Sequence, residues 1–233
     1  MSIAYNTSIV RDGLVLHLDA ANVKSYPGSG TTWYNLVGTL NALIRGTPSF
    51  INSYGGAVVT PGSQTTTYVE LPEAVLQALP NSGLTWTMEL SLTIPDMSQF
   101  GTRYGPHMTV SGGNDFIWQW NNGDSNLYAS TLSSGTNPSF SVNTPFVLTL
   151  TRNNSTWRCY KNGTFAAEYS LSATNTNSIQ GWILDQEEDA LKGGFDAGQN
   201  LNAKWHSVRF YNRILSDSEI TFNFNSFRDR YGI

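Results

Sequence analysis

Short apolar segments alternate with stretches of Gly, Asn, Ser and Thr along most of the chain. The segments have strand length, and turn residues separate them at intervals of about 8–12 residues. No helical crossover joins successive segments, so the pattern predicts antiparallel sheets packed as a sandwich. The predicted strands are Leu14–Leu18, Val58–Thr60, Thr67–Leu71, Leu84–Ile94, His107–Val110, Phe116–Trp120, Asn126–Thr131, Phe146–Arg152, Thr156–Lys161, Thr164–Ser170, Ile179–Leu184 and Lys204–Tyr211.

Local signals add detail to three parts of this pattern. Leu84–Ile94 (LTWTMELSLTI) alternates apolar and polar residues, which predicts a strand with one buried face. Asn162-Gly163 predicts a two-residue hairpin turn, because both residues tolerate positive φ. Pro72–Leu79 has Pro in its first turn and apolar residues at helical spacing, which indicates a short helix.

A second helix is predicted at the C-terminal end of the sequence. Ser216 and Glu219 have the spacing of a capping box, in which each side chain binds the backbone N–H of the other residue. Apolar side chains then recur on one helical face at Ile220, Phe224, Phe227 and Tyr231. We expect this helix to dock on the sandwich and to bury those aromatic rings.

Composition narrows the possible functions. Charged residues make up only 13% of 233 residues and the formal net charge is −4, which argues against a nucleic-acid-binding protein. The single cysteine, Cys159, excludes an intrachain disulfide and a multi-cysteine metal site. Neither a signal peptide nor an apolar stretch long enough to cross a membrane is visible. No Pro-rich linker or charge run marks a domain boundary, so residues 1–233 are predicted to form one domain, and this domain is not expected to insert into membranes.

The acidic residues concentrate in one segment, 182–199 (WILDQEEDALKGGFDAGQ), where residues 185–196 alone carry a net charge of −4. Carboxylate and amide oxygens are ligands for Ca²⁺, and the Gly193-Gly194 pair lets the chain fold back on itself. A solvated acidic loop would have the same composition. Five acids within twelve residues of a charge-poor chain favour a cation site.

This segment resembles the calcium loop of pentraxins, whose pattern is W-x-L-G-Q-E-Q-D, a glycine-bearing turn and F-E/D-x-x-Q. The resemblance is specific over residues 181–220 and implies a concanavalin A-like, laminin-G-like jelly roll. It implies that Glu187 and Asp189 bridge two calcium ions and that Glu188 contributes its backbone carbonyl. The implied ligands from this loop are Glu187, Glu188, Asp189, Asp196 and Gln199.

The same resemblance implies two more ligands for the first calcium ion, an adjacent pair just ahead of an apolar strand. Asn114-Asp115 precedes Phe116 in this way, although the order of the two residues is reversed relative to pentraxins. The His-x-Cys-x-x-Trp signature of the family is absent; Thr156–Cys159 (TWRC) is only loosely similar.

A second resemblance covers both ends of the chain. Asp12–Trp33 (DGLVLHLDAANVKSYPGSGTTW) and Val208–Ile233 (VRFYNRILSDSEITFNFNSFRDRYGI) are similar to laminin-G-like domains of tailed-bacteriophage structural proteins. Those domains serve as capsid decorations, fibre tips or adhesins. The resemblance implies a location on the virion exterior, with other virion proteins and further copies of this chain as partners.

The candidate chemistry favours binding over catalysis. Some glycoside hydrolases of the same fold use Glu-x-Asp-x-x-Glu, whereas this chain has Glu187-x-Asp189-x-x-Lys192, and no nucleophile motif accompanies its histidines. No catalytic residue is therefore predicted. Sugar recognition requires aromatic faces beside polar groups, and the candidates are Tyr104, placed in a predicted loop, and Trp118 and Trp120, for which core packing is the alternative.

Together these features predict a calcium-binding virion surface protein that binds host or environmental glycans. Two alternatives remain open at this point. One is a purely architectural decoration or cement protein with structural calcium and no glycan binding. The other is a glycan-processing enzyme on the same fold.

Overall fold

A computed structural model describes residues 8–60, 67–95, 103–110, 113–120, 127–129, 138–170, 175–186, 191–195 and 200–233, with the backbone alone at 103, 104, 110, 113–120 and 127–129. Two antiparallel sheets contain fifteen strands among these residues. The strands are β1 (Leu14–Asp19), β2 (Thr32–Trp33), β3 (Ala42–Arg45), β4 (Ser49–Ile51), β5 (Ala57–Val59), β6 (Tyr68–Glu70), β7 (Thr85–Thr93), β8 (Arg103–Val110), β9 (Gly113–Trp120), β10 (Leu127–Ala129), β11 (Phe146–Asn153), β12 (Thr156–Lys161), β13 (Thr164–Ser170), β14 (Gly181–Leu184) and β15 (Lys204–Tyr211).

The sheets pack face to face, as the sequence predicts. Sheet 1 has the order β13-β12-β11-β7-β15-β5-β4, and β1 also pairs with β15. Sheet 2 has the order β10-β9-β8-β14-β6-β3-β2. All of the pairings are antiparallel, and strands distant in sequence lie side by side, such as β7 beside β15. The predicted all-β sandwich of two antiparallel sheets is confirmed.

The core lies between the two sheets and is built from their inward-facing side chains. In sheet 1, Leu148, Leu90 and Val208 are neighbours across β11, β7 and β15, and all three are buried. Sheet 2 contributes Trp182 from β14, whose ring lies 5.2 Å from that of Phe210 on β15. Alternation in each strand places every second residue in this layer, which is why the apolar pattern of the sequence locates the core.

Two α-helices accompany the sheets in the described residues, α1 (Ala74–Gln77) and α2 (Asp217–Tyr231). The capping box is confirmed: Ser216 Oγ accepts a hydrogen bond from Glu219 N at 3.3 Å, and Glu219 Oε2 accepts one from Ser216 N at 2.8 Å. Ile220, Phe227 and Tyr231 are buried and Phe224 is half-buried, as the helical spacing predicts.

The hairpin between β12 and β13 shows why its turn sequence is needed. Asn162 and Gly163 both have positive φ, 50° and 74°, which confirms the predicted turn. Gly163 also lies against α2, since a Cβ at this position would come within 2.9 Å of Phe224 Cβ. The turn thus requires glycine both for its backbone conformation and for the close approach of the helix.

Strand β7 has the predicted buried apolar face, but its other face is buried as well. Thr87, Glu89 and Ser91 point away from the core, yet each is at most 1% exposed. Helix α2 covers this outer face of sheet 1, and its Asn223 donates a hydrogen bond to Glu89 Oε2 at 2.8 Å. The alternation of β7 therefore separates an apolar buried face from a polar buried face.

His206 belongs to the polar layer between sheet 1 and the elements that cover it. Its Nδ1 lies 2.9 Å from the carbonyl oxygen of Gly56 and its Nε2 lies 2.9 Å from Thr93 Oγ1. A carbonyl only accepts, so Nδ1 carries the proton and the threonine hydroxyl donates to Nε2. Both nitrogens of the neutral ring are thereby satisfied within the protein, which gives His206 a structural role.

We expect the imidazole of His206 to stay neutral well below the usual histidine range. Burial lowers its pKa to about 4, so its NMR signals should not shift between pH 8 and pH 5. The unfolded chain titrates near the ordinary value of about 6.5, so the contribution of neutral His206 to stability is complete above that pH and is lost as pH falls toward 4. A His206→Gln variant assigns the signals, and a titration midpoint above pH 6 would contradict this prediction.

Candidate binding site

The outer face of sheet 2 carries a group of polar side chains that the strand register brings together. Glu70 on β6 pairs with Leu43 on β3 and with Ile183 on β14, so these three side chains share the outward face. Arg45 lies two residues after Leu43 and donates from Nε to Glu70 Oε2 at 2.7 Å. No local pattern in the sequence marks this group, because the charges become neighbours only when β3, β6 and β14 pair.

The acidic segment that resembles a calcium loop starts where β14 ends, at one edge of this face. Asp185 is its first acid, and its side chain is completely buried in the protein. Its carboxylate accepts hydrogen bonds from Ala203 N at 2.9 Å, Asn202 N at 3.2 Å and Trp205 Nε1 at 3.3 Å. Burial raises the pKa of Asp185 to about 7, although the hydrogen bonds from these donors lower it in part. This residue ties the start of the segment to the chain that follows it.

Lys192 fixes the other side of the segment to the outer face of sheet 2. Its Nζ lies 2.7 Å from Glu70 Oε1 and 2.6 Å from Glu73 Oε1, and the backbone at Lys192 has a positive φ of 52°. Partial burial raises the pKa of Glu70, but hydrogen bonds from Lys192 and Arg45 outweigh this effect and the net shift is downward. Lys192 is therefore shared by two carboxylates that lie more than one hundred residues before it.

A cleft of about 320 Å³ lies beside these ion pairs, where β3 and β6 meet the start of α1. Its lining mixes apolar surface with amides and carboxylates, supplied mainly by Asn41, Leu43, Glu70, Pro72, Glu73 and Gln77. The volume is at the lower end of the range of about 300–1,000 Å³ that is typical of small-molecule sites. Nearby, the rings of Tyr68 and Phe195 are in contact, with centroids 4.8 Å apart.

The loop residues predicted to bind calcium lie outside the described part of the chain. Asn114 and Asp115 are placed on β9, as its second and third residues. Among the residues that the structure describes, no group of three or more His, Cys, Asp or Glu side chains is arranged to hold a metal ion. Calcium binding therefore stays a prediction. The undescribed predicted ligands are Glu187, Glu188, Asp189, Asp196 and Gln199.

The predicted sugar-binding aromatic residues lie on two neighbouring strands of sheet 2. The prediction that Tyr104 lies in a loop is wrong: it belongs to β8 and pairs with Gln119. Gly105-Pro106 resembles a turn in the sequence, but the register shifts between Tyr104 and His107, and such an irregularity accommodates proline within a strand. Trp118 and Trp120 both lie on β9, and their role in binding remains a prediction.

Comparison with protein families assigns the chain to a structural superfamily. A family model described as the concanavalin A-like lectin/glucanases superfamily matches residues 62–221. The chain belongs to this superfamily. A comparison with curated protein sequences gives no match, and none of the helices in the described ranges is long and apolar enough to cross a membrane.

Solved structures with the same fold include those of two different proteins. A Trypanosoma rangeli sialidase in complex with 2,3-difluorosialic acid is 15% identical with a TM-score of 0.68, over 93% of this chain and 33% of the sialidase. The binding domain of botulinum neurotoxin DC in complex with SialylT is 12% identical with a TM-score of 0.66, over 93% of this chain and 52% of that domain. The chain thus spans about a third to a half of these proteins, and at such identities the likeness concerns the fold.

Proposed function

We propose that this domain recognises carbohydrate at the outer face of sheet 2, beside a calcium-binding loop formed by residues 185–199. The observation that carries the proposal is the Lys192 bridge, which holds the acidic segment against the cleft-lining residues Glu70 and Glu73. A neurotoxin binding domain of the same fold has been solved with SialylT, which supports a role in glycan recognition.

The charge distribution supports calcium as the cofactor. Lys192 is the only basic residue between 185 and 196, and it is already shared by Glu70 and Glu73. Asp185 is buried and accepts three hydrogen bonds from the protein. Glu187, Glu188, Asp189 and Asp196 then form an acidic stretch whose mutual repulsion a divalent cation would relieve, with Gln199 and the pair Asn114-Asp115 as further oxygen ligands.

Calcium is expected to stabilise the folded protein increasingly as the free ion concentration rises above its Kd. At 100 times its Kd the ion adds about 2.7 kcal/mol to the free energy of unfolding, measured as a rise in Tm that EDTA reverses. Glu187→Ala should abolish this rise, whereas Glu168→Ala, on the exposed Arg158–Glu168 ion pair of sheet 1, should retain it. An EDTA-insensitive Tm, with Glu187→Ala behaving like wild type, would refute calcium binding.

Glycan binding is tested on an array probed with the calcium-loaded protein and again after EDTA treatment. Binding that disappears with EDTA supports the proposal, with Tyr104, Trp118 and Trp120 as the aromatic candidates. A silent array combined with a calcium-dependent Tm supports the alternative of a purely architectural decoration or cement protein.

We further propose that the domain binds sugar without catalysis, on the exterior of a bacteriophage virion. Lys192 occupies the position at which related hydrolases have a third carboxylate, and its ammonium group is held by Glu70 and Glu73. The resemblance of the chain ends to phage structural proteins supports the virion location, with homo-oligomers and other virion proteins as partners. Release of reducing sugar from a glycan substrate would instead favour the enzyme.

A further inference from the structure

The cleft beside the Lys192 bridge is lined by two amides whose orientation the surrounding backbone fixes. Asn41 Oδ1 accepts a hydrogen bond from Asn35 N at 3.0 Å, which leaves Nδ2 as the donor of that amide. Gln77 Nε2 donates to the carbonyl oxygen of Ile179 at 3.0 Å, which leaves Oε1 as the acceptor. The residues that line the cleft thus keep one amide donor and one amide acceptor of defined identity, in addition to the carboxylate oxygens of Glu70 and Glu73.

The charges around the cleft compensate one another. Arg45 and Lys192 are each paired with Glu70, and Lys192 is also paired with Glu73, so two cations face two carboxylates. Neither Glu70 nor Glu73 is fully exposed, with 12% and 27% of their side chains accessible. Carboxylates held in this way keep lone pairs that accept hydrogen bonds from neutral hydroxyl groups.

Apolar surface adjoins these polar groups. Leu43 is 38% exposed on the outward face of β3, and Pro72 is half-buried at the start of α1. A pyranose ring has a C–H surface that packs on such groups and hydroxyls at its edge that both donate and accept. The lining therefore matches an uncharged sugar ring in both respects.

We propose that this cleft binds one neutral pyranose unit and discriminates against acidic sugars. The inference rests on the proposed carbohydrate-binding function and adds the position of a binding subsite and its ligand class. A sugar carboxylate in the cleft would face Glu70 and Glu73, whose counter-charges are already engaged. Like charges at hydrogen-bonding distance in a partly desolvated site repel each other. An acidic sugar should therefore bind more weakly than a neutral one.

The subsite is tested by NMR on the calcium-loaded protein, with ligand-observed titrations for affinity and methyl spectra of the protein for the position of the ligand. The probes are methyl glycosides of glucose, galactose, mannose and N-acetylglucosamine, compared with glucuronic acid and N-acetylneuraminic acid at the same concentrations. At least one neutral glycoside is expected to bind at least tenfold more tightly than either acid, and the methyl signals of Leu43 should shift on its addition. Tighter binding of either acid would overturn the proposal.

Three variants separate the cleft from other surfaces. Leu43→Ser and Gln77→Ala are each expected to weaken binding of the neutral glycoside at least fivefold, because both side chains line the cleft without belonging to the core. Val23 lies outside the cleft lining and is 73% exposed, so Val23→Ser should change the affinity less than twofold. Unchanged affinity in both cleft variants, despite calcium-dependent array binding, would overturn the subsite alone. A silent array with no NMR binding would overturn the proposed function as well.

Discussion

Replacing Glu89 with alanine is expected to lower the free energy of unfolding by about 3–5 kcal/mol. Glu89 and Arg209 form an ion pair of 3.2 Å beneath helix α2, and both side chains are completely buried. Removing the carboxylate leaves the guanidinium buried without a counter-charge. The ring of Phe227, 4.2 Å from the guanidinium carbon, is too weak a partner to replace it.

The surroundings of Glu89 explain why the pair exists despite the cost of burying it. Burial raises the pKa of Glu89, whereas Arg209 and hydrogen bonds from Asn223 and Thr149 oppose this shift. Asn223 belongs to α2 and also accepts a hydrogen bond from Val10 N at 2.9 Å. The carboxylate therefore links the sheet to both the helix and the segment that precedes β1, and its loss should loosen both.

Urea unfolding of paired variants measures this effect. Glu168→Ala removes an ion pair whose partners are both 48% exposed and should cost less than about 1 kcal/mol. A double variant, Glu89→Met with Arg209→Met, should recover most of the loss, because apolar residues of similar volume often replace a buried ion pair without net cost. A Glu89→Ala loss no larger than that of Glu168→Ala would contradict the prediction.

The strands best predicted from sequence are those whose own residues specify them. Thr156–Lys161 and Thr164–Ser170 are observed with the predicted bounds, because Asn162-Gly163 fixes the turn and alternation fixes each strand. Strands β2, β3 and β4 were not predicted. They have only two, four and three residues, and they form because β3 pairs with β6, β2 pairs with β3, and β4 pairs with β5.

Features that depend on distant parts of the chain escaped prediction. The alternation of β7 predicts its apolar buried face but not the burial of its polar face, which α2, more than 120 residues later, covers. Glu70 and Glu73 carry no local signal that they meet Lys192, since only the pairing of β6 with β14 brings the segments together. The location of the acidic segment at a strand end was correct, whereas its metal-binding role depends on oxygens outside the described residues.

Asp185→Ala is expected to cost about 3 kcal/mol of stability, the second-largest effect that we predict. The substitution leaves the N–H groups of Asn202, Ala203 and Trp205 without their acceptor, and each buried unpaired donor costs about 1–3 kcal/mol. Relief of the cost of burying a carboxylate offsets part of this loss. Asp185 also has a φ of 79°, a conformation that disfavours alanine.

A comparison of two substitutions at Asp185 separates the stability lost with the carboxylate from the stability lost through the backbone conformation. Asp185→Gly removes the same acceptor but accommodates positive φ, so it should be more stable than Asp185→Ala by about 1 kcal/mol and still well below wild type. Asp12→Ala, at an ion pair where the aspartate is 85% exposed, should be nearly neutral. Wild-type stability of Asp185→Gly would show that the hydrogen bonds contribute little.

The same variants distinguish an anchor from a metal ligand. Asp185 is buried and its carboxylate accepts hydrogen bonds from three N–H donors. We therefore do not expect it to be a calcium ligand. Asp185→Gly should therefore unfold at a lower temperature than wild type but keep the calcium-dependent rise in Tm. Glu187→Ala should keep most of the stability that the protein has without calcium, but it should lose the calcium-dependent rise. A calcium response lost in Asp185→Gly but retained in Glu187→Ala would reverse these two roles.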